Sequence, residues 1–367
     1  METHIRAPIV VGLDLGPSQR PVLAWGADEA NSRRAPLQLL YAQGRAGSRN
    51  SPPRRPSRRG RPHDEHALAE YALREAVAFV RDRHPRLEVS TLLAADDPVP
   101  LLRRQARMAA AVVLGSHRLS TRAELFASAS VALPVLAHAG CPVVIVRDPE
   151  HVVERPPHFV VGVDVGWDGR RHSVAAVDHA FEEAALHRAV LRVLYVWHPP
   201  VLGVLDEHAA LRECRRLLAD MVEGRRAAYP DVEVHHEVLR GRPARVLAEE
   251  SAHALGLIVG VHGNGGSTGM LLGSVVHGVL HHARCPVVAV PRGREHHPLY
   301  GRTRVSRIPR RSRGAVGRCA RLLTYVARGW QGMARGGFRS CVRHGGHACR
   351  GLGTCWGRRR SDAARPG

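Results

Sequence analysis

The segment GVHGNGGSTGMLLGSV, Gly260 to Val275, holds six glycines in sixteen residues, with Ser267, Thr268 and Ser274 among them. It follows an apolar run, Leu255 to Val259, and leads into SVVHGVLHHA, which has helical spacing. Glycine lets a backbone pass close to a bound group or take positive φ. The first N–H groups of a helix lack intrahelical partners, and the helix dipole favours an anion beside them. A strand, a glycine loop and a helix start, in that order, make a phosphate cradle. Glycine richness alone equally describes a flexible strand-to-helix connection. Two familiar phosphate loops are excluded. The chain has no GK[ST] and no Lys at all, so there is no Walker loop. The dinucleotide fingerprint belongs after a first strand, whereas this loop follows a fourth.

The elements that must position this loop alternate along the second half. HFVVGVDV is a continuous apolar run with β-branched residues and reads as a buried strand. RRHSVAAVDHAFEEAALHR has helical spacing, LRVLYVW is a strand, DEHAALRECRRLLADMVEGRRAAY a long amphipathic helix and VEVHHEVL an alternating strand. RPARVLAEESAHA is then a helix, LGLIVGV a strand, SVVHGVLHHA a helix and PVVAV a strand. The βαβαβαβαβ order predicts an α/β fold: a five-stranded parallel sheet with helices on both faces. Ligands of such sheets bind outside the carboxyl ends of the strands, where strand order reverses. Asp164 after the first strand, Val196 in the second and the glycine loop after the fourth all fall at such ends.

The first half repeats this plan. IVVGLDLGPS (Ile9 to Ser18) is similar to FVVGVDVGWD (Phe159 to Asp168), AAVVLGSHRL to LGLIVGVHGN, and GCPVVIVRDP to RCPVVAVPRG, in the same order and about 145 to 150 residues apart. Duplication is the simplest reading. The expected domains are residues 1–148 and 157–293, with a linker near RDPEHVVERPPH. An Arg-, Pro- and Ser-rich insertion, Gln43 to Asp64, is expected to be disordered.

The net charge of +21 is unevenly spread. Residues 291–367 hold 19 Arg and two acids, a net of +17, leaving only +4 for the preceding 290 residues. The tail, 294–367, is therefore read as a disordered basic extension or as a binder of nucleic acid or another anionic surface. Cys341, His344, His347, Cys349 and Cys355 within it fit no standard zinc spacing. The three cysteines of the body stand singly, suggesting a reducing compartment. There is neither a signal-peptide pattern nor an apolar run near the roughly 18 residues of a membrane span, so a cytoplasmic location is expected.

Gly260-x2-Gly263-x9-Gly273-Ser274 matches the G-2x-G-9x-G-[S/T] motif of the universal stress protein family. VVGVDVGWDGRRHS, GRPARVLAEESAHALGLIVG and CPVVAV are similar to its first, fourth and last strand regions, and the resemblance spans residues 5 to 293. It implies two tandem domains, each a Rossmann-like five-stranded parallel sheet of the adenine-nucleotide α-hydrolase type, and ATP binding, with or without Mg, where the motif is intact. Carried over by position, Asp164 would accept from adenine or ribose, Val163 would line the base pocket and Val196 would offer backbone atoms to adenine. Gly260 and Gly263 would pass the ribose and phosphates. Gly273, Ser274 and Val275 would meet phosphate oxygens through backbone N–H groups. The family commonly meets through its last strands, so PVVIV and PVVAV are expected to pair in an intrachain pseudo-dimer. A homodimer and a protein partner are left open.

The first half departs from the motif. Asp14 and Ser130 survive and Gly115 matches Gly260, but Arg118 stands at the second glycine and Ala129 at the third. Weakened or lost binding is expected there. No HExxH, nucleophile elbow or paired-carboxylate metal site appears, so the expected activity is none, or slow ATP hydrolysis at most. His262, inside the motif, suits phosphate contact or solvent equally.

Overall fold

The computed structural model describes residues 6–14, 19–44, 62–116, 131–147, 151–164, 173–198, 206–261 and 272–291. Among these, the first half runs β1 (Ile9–Leu13), α1 (Gln19–Arg33), β2 (Leu37–Ala42), α2 (Pro62–Arg83), β3 (Val89–Ala94), α3 (Pro98–Gln105), β4 (Ala111–Gly115), α4 (Ala132–His138) and β5 (Val143–Val146). The second runs β6 (His158–Val163), α5 (Val174–His187), β7 (Val190–Trp197), α6 (Glu207–Arg226), β8 (Val234–Arg240), α7 (Pro243–Glu250), β9 (Gly256–Gly260), α8 (Ser274–His282) and β10 (Val287–Val290).

All ten strands form one sheet, in the order β3-β2-β1-β4-β5-β10-β9-β6-β7-β8. Within each half the neighbours are parallel. The halves join through β5 and β10, which pair antiparallel with Val288 opposite Val144, as the family resemblance implies. Each is four apolar residues, all buried. Left unpaired, either would be an exposed sticky edge, and the joint removes both. The outermost strands β3 and β8 are the ones that show exposed positions, which fits the polar residues of VEVHHEVL beside the largely apolar inner strands.

Two apolar clusters fill the two faces. One joins β1, β6 and their neighbours to α1, α2, α5 and α6. The other joins the opposite sheet face to α3, α4, α7 and α8. Because each half contributes two helices per face, the antiparallel joint produces a three-layer body. One expectation needs correction: α2 already begins at Pro62 and Gln43 donates its N–H to the Ala94 carbonyl (2.9 Å). Both ends of the segment read as a disordered insertion are thus built into the fold, and 45–61 lie outside the described residues.

Close packing sets the position of α8. A Cβ on Gly278 would lie 2.3 Å from the Ala244 Cβ of α7, so glycine is what lets these helices touch. Gly278→Val should cost about 1–3 kcal/mol by overpacking. A denaturant melt should show a lower midpoint; an unchanged midpoint would mean that α7 and α8 adjust freely.

Candidate functional site at the second switch point

Strand order in the second half reverses between β6 and β9, and Gly162 stands opposite Val259 across that pair. Both strands therefore end together, placing Asp164 beside Gly260 and Val261. Of the expected site residues, Val163, Asp164, Val196, Gly260, Gly273, Ser274 and Val275 are described and sit along this carboxyl edge. Gly263 and His262 lie outside the described residues.

The glycine loop is clamped at its base. Val261 donates its N–H to the Val290 carbonyl (2.9 Å), and its own carbonyl accepts from the Gly273 N–H (3.2 Å). Val261 and the Leu272 that follows the loop are buried against the sheet. The chain thus leaves and re-enters the body at one point. Immediately after re-entry α8 begins at Ser274, with Gly273 as its N-cap. The Gly273 carbonyl accepts from the His277 N–H (3.1 Å). A helix start directly over the strand ends presents its first N–H groups to the crevice.

Gly273 itself has φ −65° and ψ 149°. Its contribution is the missing side chain, and the left-handed backbone expected of the loop glycines does not occur at this position. The two valines part company as well: Val163 packs in the cluster under α5 and α6, whereas Val196 packs on the opposite face. The Asp164 backbone N–H donates to the Ser173 hydroxyl (2.8 Å), which is buried at the start of α5. Ser173 thereby fixes the strand end that carries Asp164.

The first half builds a different rim. α4 starts at Ala132 after Val131, which has helical φ and ψ. Aligned on the shared CPVV, that start is two residues later than in α8. Arg118, Ala129 and Ser130 lie outside the described residues, as do the tail and the cysteine–histidine cluster within it.

A second group of functional-looking side chains lies away from both crevices, where α1 meets α5. Glu29 and Glu183 are almost wholly buried. Arg33 donates to both carboxylates. His187 lies 3.0 Å from Glu29 and 3.5 Å from Glu183, and His179 lies 3.0 Å from Glu183. Burial alone would lower the His187 pKa, but its bonds to the two carboxylates push it up to about 9. Burial works against ionising Glu183 too, yet His179, His187 and Arg33 hold its carboxyl well below the usual range. Glu29, Glu183 and His187 bring their donor atoms within 4.8 Å of one another, but the guanidinium on both carboxylates makes this an ion-pair seam. The duplication shows its origin once the structure is in hand. Arg34 and Arg188 share a left-handed conformation, φ 51° and 50°; aligning the halves on them puts Glu29 over Glu183 and Arg33 over His187.

The three described cysteines are free and buried. Burial pushes Cys141 up to about 12 and Cys214 and Cys285 up to about 11, which leaves them unreactive thiols at neutral pH.

Fold and edge together define a tandem, doubly wound α/β protein with a loop-and-helix rim at its second switch point. The universal stress protein family model matches residues 6–147 and again 158–291. A universal stress protein of Mycobacterium tuberculosis is 35% identical over 288 residues, spanning 76% of this chain and 95% of that protein. One of Mycolicibacterium smegmatis is 33% identical over 290 residues, spanning 77% and 96%. The crystal structure of a universal stress protein from Archaeoglobus fulgidus superposes with a TM-score of 0.58 at 18% identity, covering 80% of this chain and 99% of that one. The chain belongs to the universal stress protein family.

Proposed function

We propose that the chain binds one ATP, with or without Mg, in the second-half crevice, and acts as a regulatory or sensor protein of the stress response. The observation that carries this reading is the coincidence of motif and geometry. The spacing Gly260-x2-Gly263-x9-Gly273-Ser274 falls where β6 and β9 part, on a loop tied at Val261 and Gly273 and ending in a helix start. In this reading Asp164 accepts from adenine or ribose and Val163 and Val196 border the base. Gly260 and Gly263 pass the ribose and phosphates, and the N–H groups of Ser274 and Val275 meet phosphate oxygens; the Gly273 N–H, expected to do the same, is instead held by the Val261 carbonyl.

The protein's role is binding, with slow ATP hydrolysis at most. Among the described residues the rim offers backbone donors and the Asp164 carboxylate, which suit positioning. Nucleotide would order the loop and change the surface presented to a protein partner. Among the described residues no helix is long and apolar enough to cross a membrane, in keeping with a cytoplasmic role. Titration calorimetry on the full chain should give one ATP per chain. Two equal sites, or none, would sink this reading.

A further inference from the structure

A cavity of about 360 Å³ lies where the two halves meet, lined by Ser116, Arg147, His281, His282, Ala283 and Arg284. Ser116 directly follows β4 and Arg147 directly follows β5. The other four residues form the end of α8 and the turn toward β10. Because β5 and β10 are antiparallel, the end of α8 is delivered to the carboxyl edge of the first half. The cavity therefore stands one strand over from the β1/β4 switch point, on the edge where ligands of such sheets bind.

Its wall is cationic. Two guanidiniums and two imidazoles face it, and no carboxylate is among the described residues lining it. A helix C-terminus attracts positive charge, and Arg147 meets that demand by donating to the Leu280 carbonyl. That cap accounts for one cation. The duplication provides an internal control for the rest. Aligned on CPVV, Arg147 corresponds to Pro291, Arg284 to Gly140 and His281 to Ala137, while His282 corresponds to His138. Setting aside the capping Arg147, the same fold is built in the other half without a basic residue at the positions of Arg284 and His281, so the fold does not require those two here.

We propose that this cavity is an anion site assembled from both halves, which takes a chain of two or more phosphoryl groups. The exposed Arg284 guanidinium suits paired hydrogen bonds to one phosphate, and Arg147, which caps α8, adds its positive charge beside the next. The ligand is inorganic pyrophosphate or polyphosphate, or the phosphate tail of a nucleotide.

The full chain should be treated with phenylglyoxal and modification of Arg284 read by peptide mass spectrometry. Reading one residue separates this site from the arginines of the tail. Saturating pyrophosphate should slow modification of Arg284 about fivefold, and Arg284→Gln should weaken pyrophosphate binding about tenfold. Arg284 is exposed, so this variant leaves the α8 cap alone. In a Gly273→Asp background, which removes the second-half cradle, protection by pyrophosphate marks an inorganic ligand. Protection by ATP alone marks a nucleotide tail. Unchanged Arg284 reactivity with both, or equal protection by sulfate at matched ionic strength, would overturn the site.

Discussion

Gly273→Asp is expected to weaken ATP binding by at least about 100-fold, roughly 3 kcal/mol. The substitution is chosen for what it does not disturb. At φ −65° and ψ 149° the position is extended backbone open to any residue. Asp is also among the favoured N-cap residues, so α8 keeps or gains stability. What changes is the charge: a carboxylate is placed where the reading puts phosphate oxygens. Calorimetry should show the loss of binding while a thermal melt shows no loss of stability. Retained ATP affinity in a folded variant would remove Gly273 from the site. Gly273→Ala, which adds bulk without charge, should fall between variant and parent.

Arg33→Met at the seam should be the most damaging single change to stability. It removes the guanidinium that both buried carboxylates share and leaves Glu29 and Glu183 with imidazole partners only. Breaking a buried network by taking one partner away costs about 3–5 kcal/mol. Replacing Glu29, Arg33, His179, Glu183 and His187 together by apolar residues of similar size should recover most of that loss, since the penalty is stranded charge. A single variant as stable as the parent would show that water already reaches the seam.

The same seam sets a pH window. The folded pKa of His187, about 9, lies above its ordinary 6.5. Its contribution is therefore complete below about pH 6.5 and is lost as pH rises through 9, at most about 3 kcal/mol. Glu183 is lowered, so its contribution is present above the ordinary carboxylate range and lost as pH falls below it. Melts between pH 6.5 and 9.5 should fall for the parent and be flatter for His187→Gln. Parallel slopes would assign the alkaline loss elsewhere.

The succession of strands and helices within each half was legible because apolar strands and amphipathic helices alternate with clear periods, and because the repeat states each element twice. The candidate crevice was legible through spacing, since a nine-residue gap between Gly263 and Gly273 is a covalent fact that the fold inherits. Three things were hidden. Which face Val163 and Val196 occupy depends on strand phase relative to the neighbours, and a uniformly apolar run carries no phase. The seam joins residues about 154 positions apart, and neither Glu29 nor Glu183 looks unusual on its own helix. The start of α2 at Pro62 was masked by the Arg- and Pro-rich composition before it, although Pro suits the first turn of a helix.

The antiparallel β5–β10 joint turns the carboxyl edges of the halves in opposite directions. A flat surface docking on one rim cannot touch the other. The two sides of the molecule can thus be read by different neighbours at the same time, or one neighbour can be made to choose a side. On the function proposed above, a nucleotide in the second-half crevice would alter only the rim on its own side, so docking side and nucleotide response would be linked.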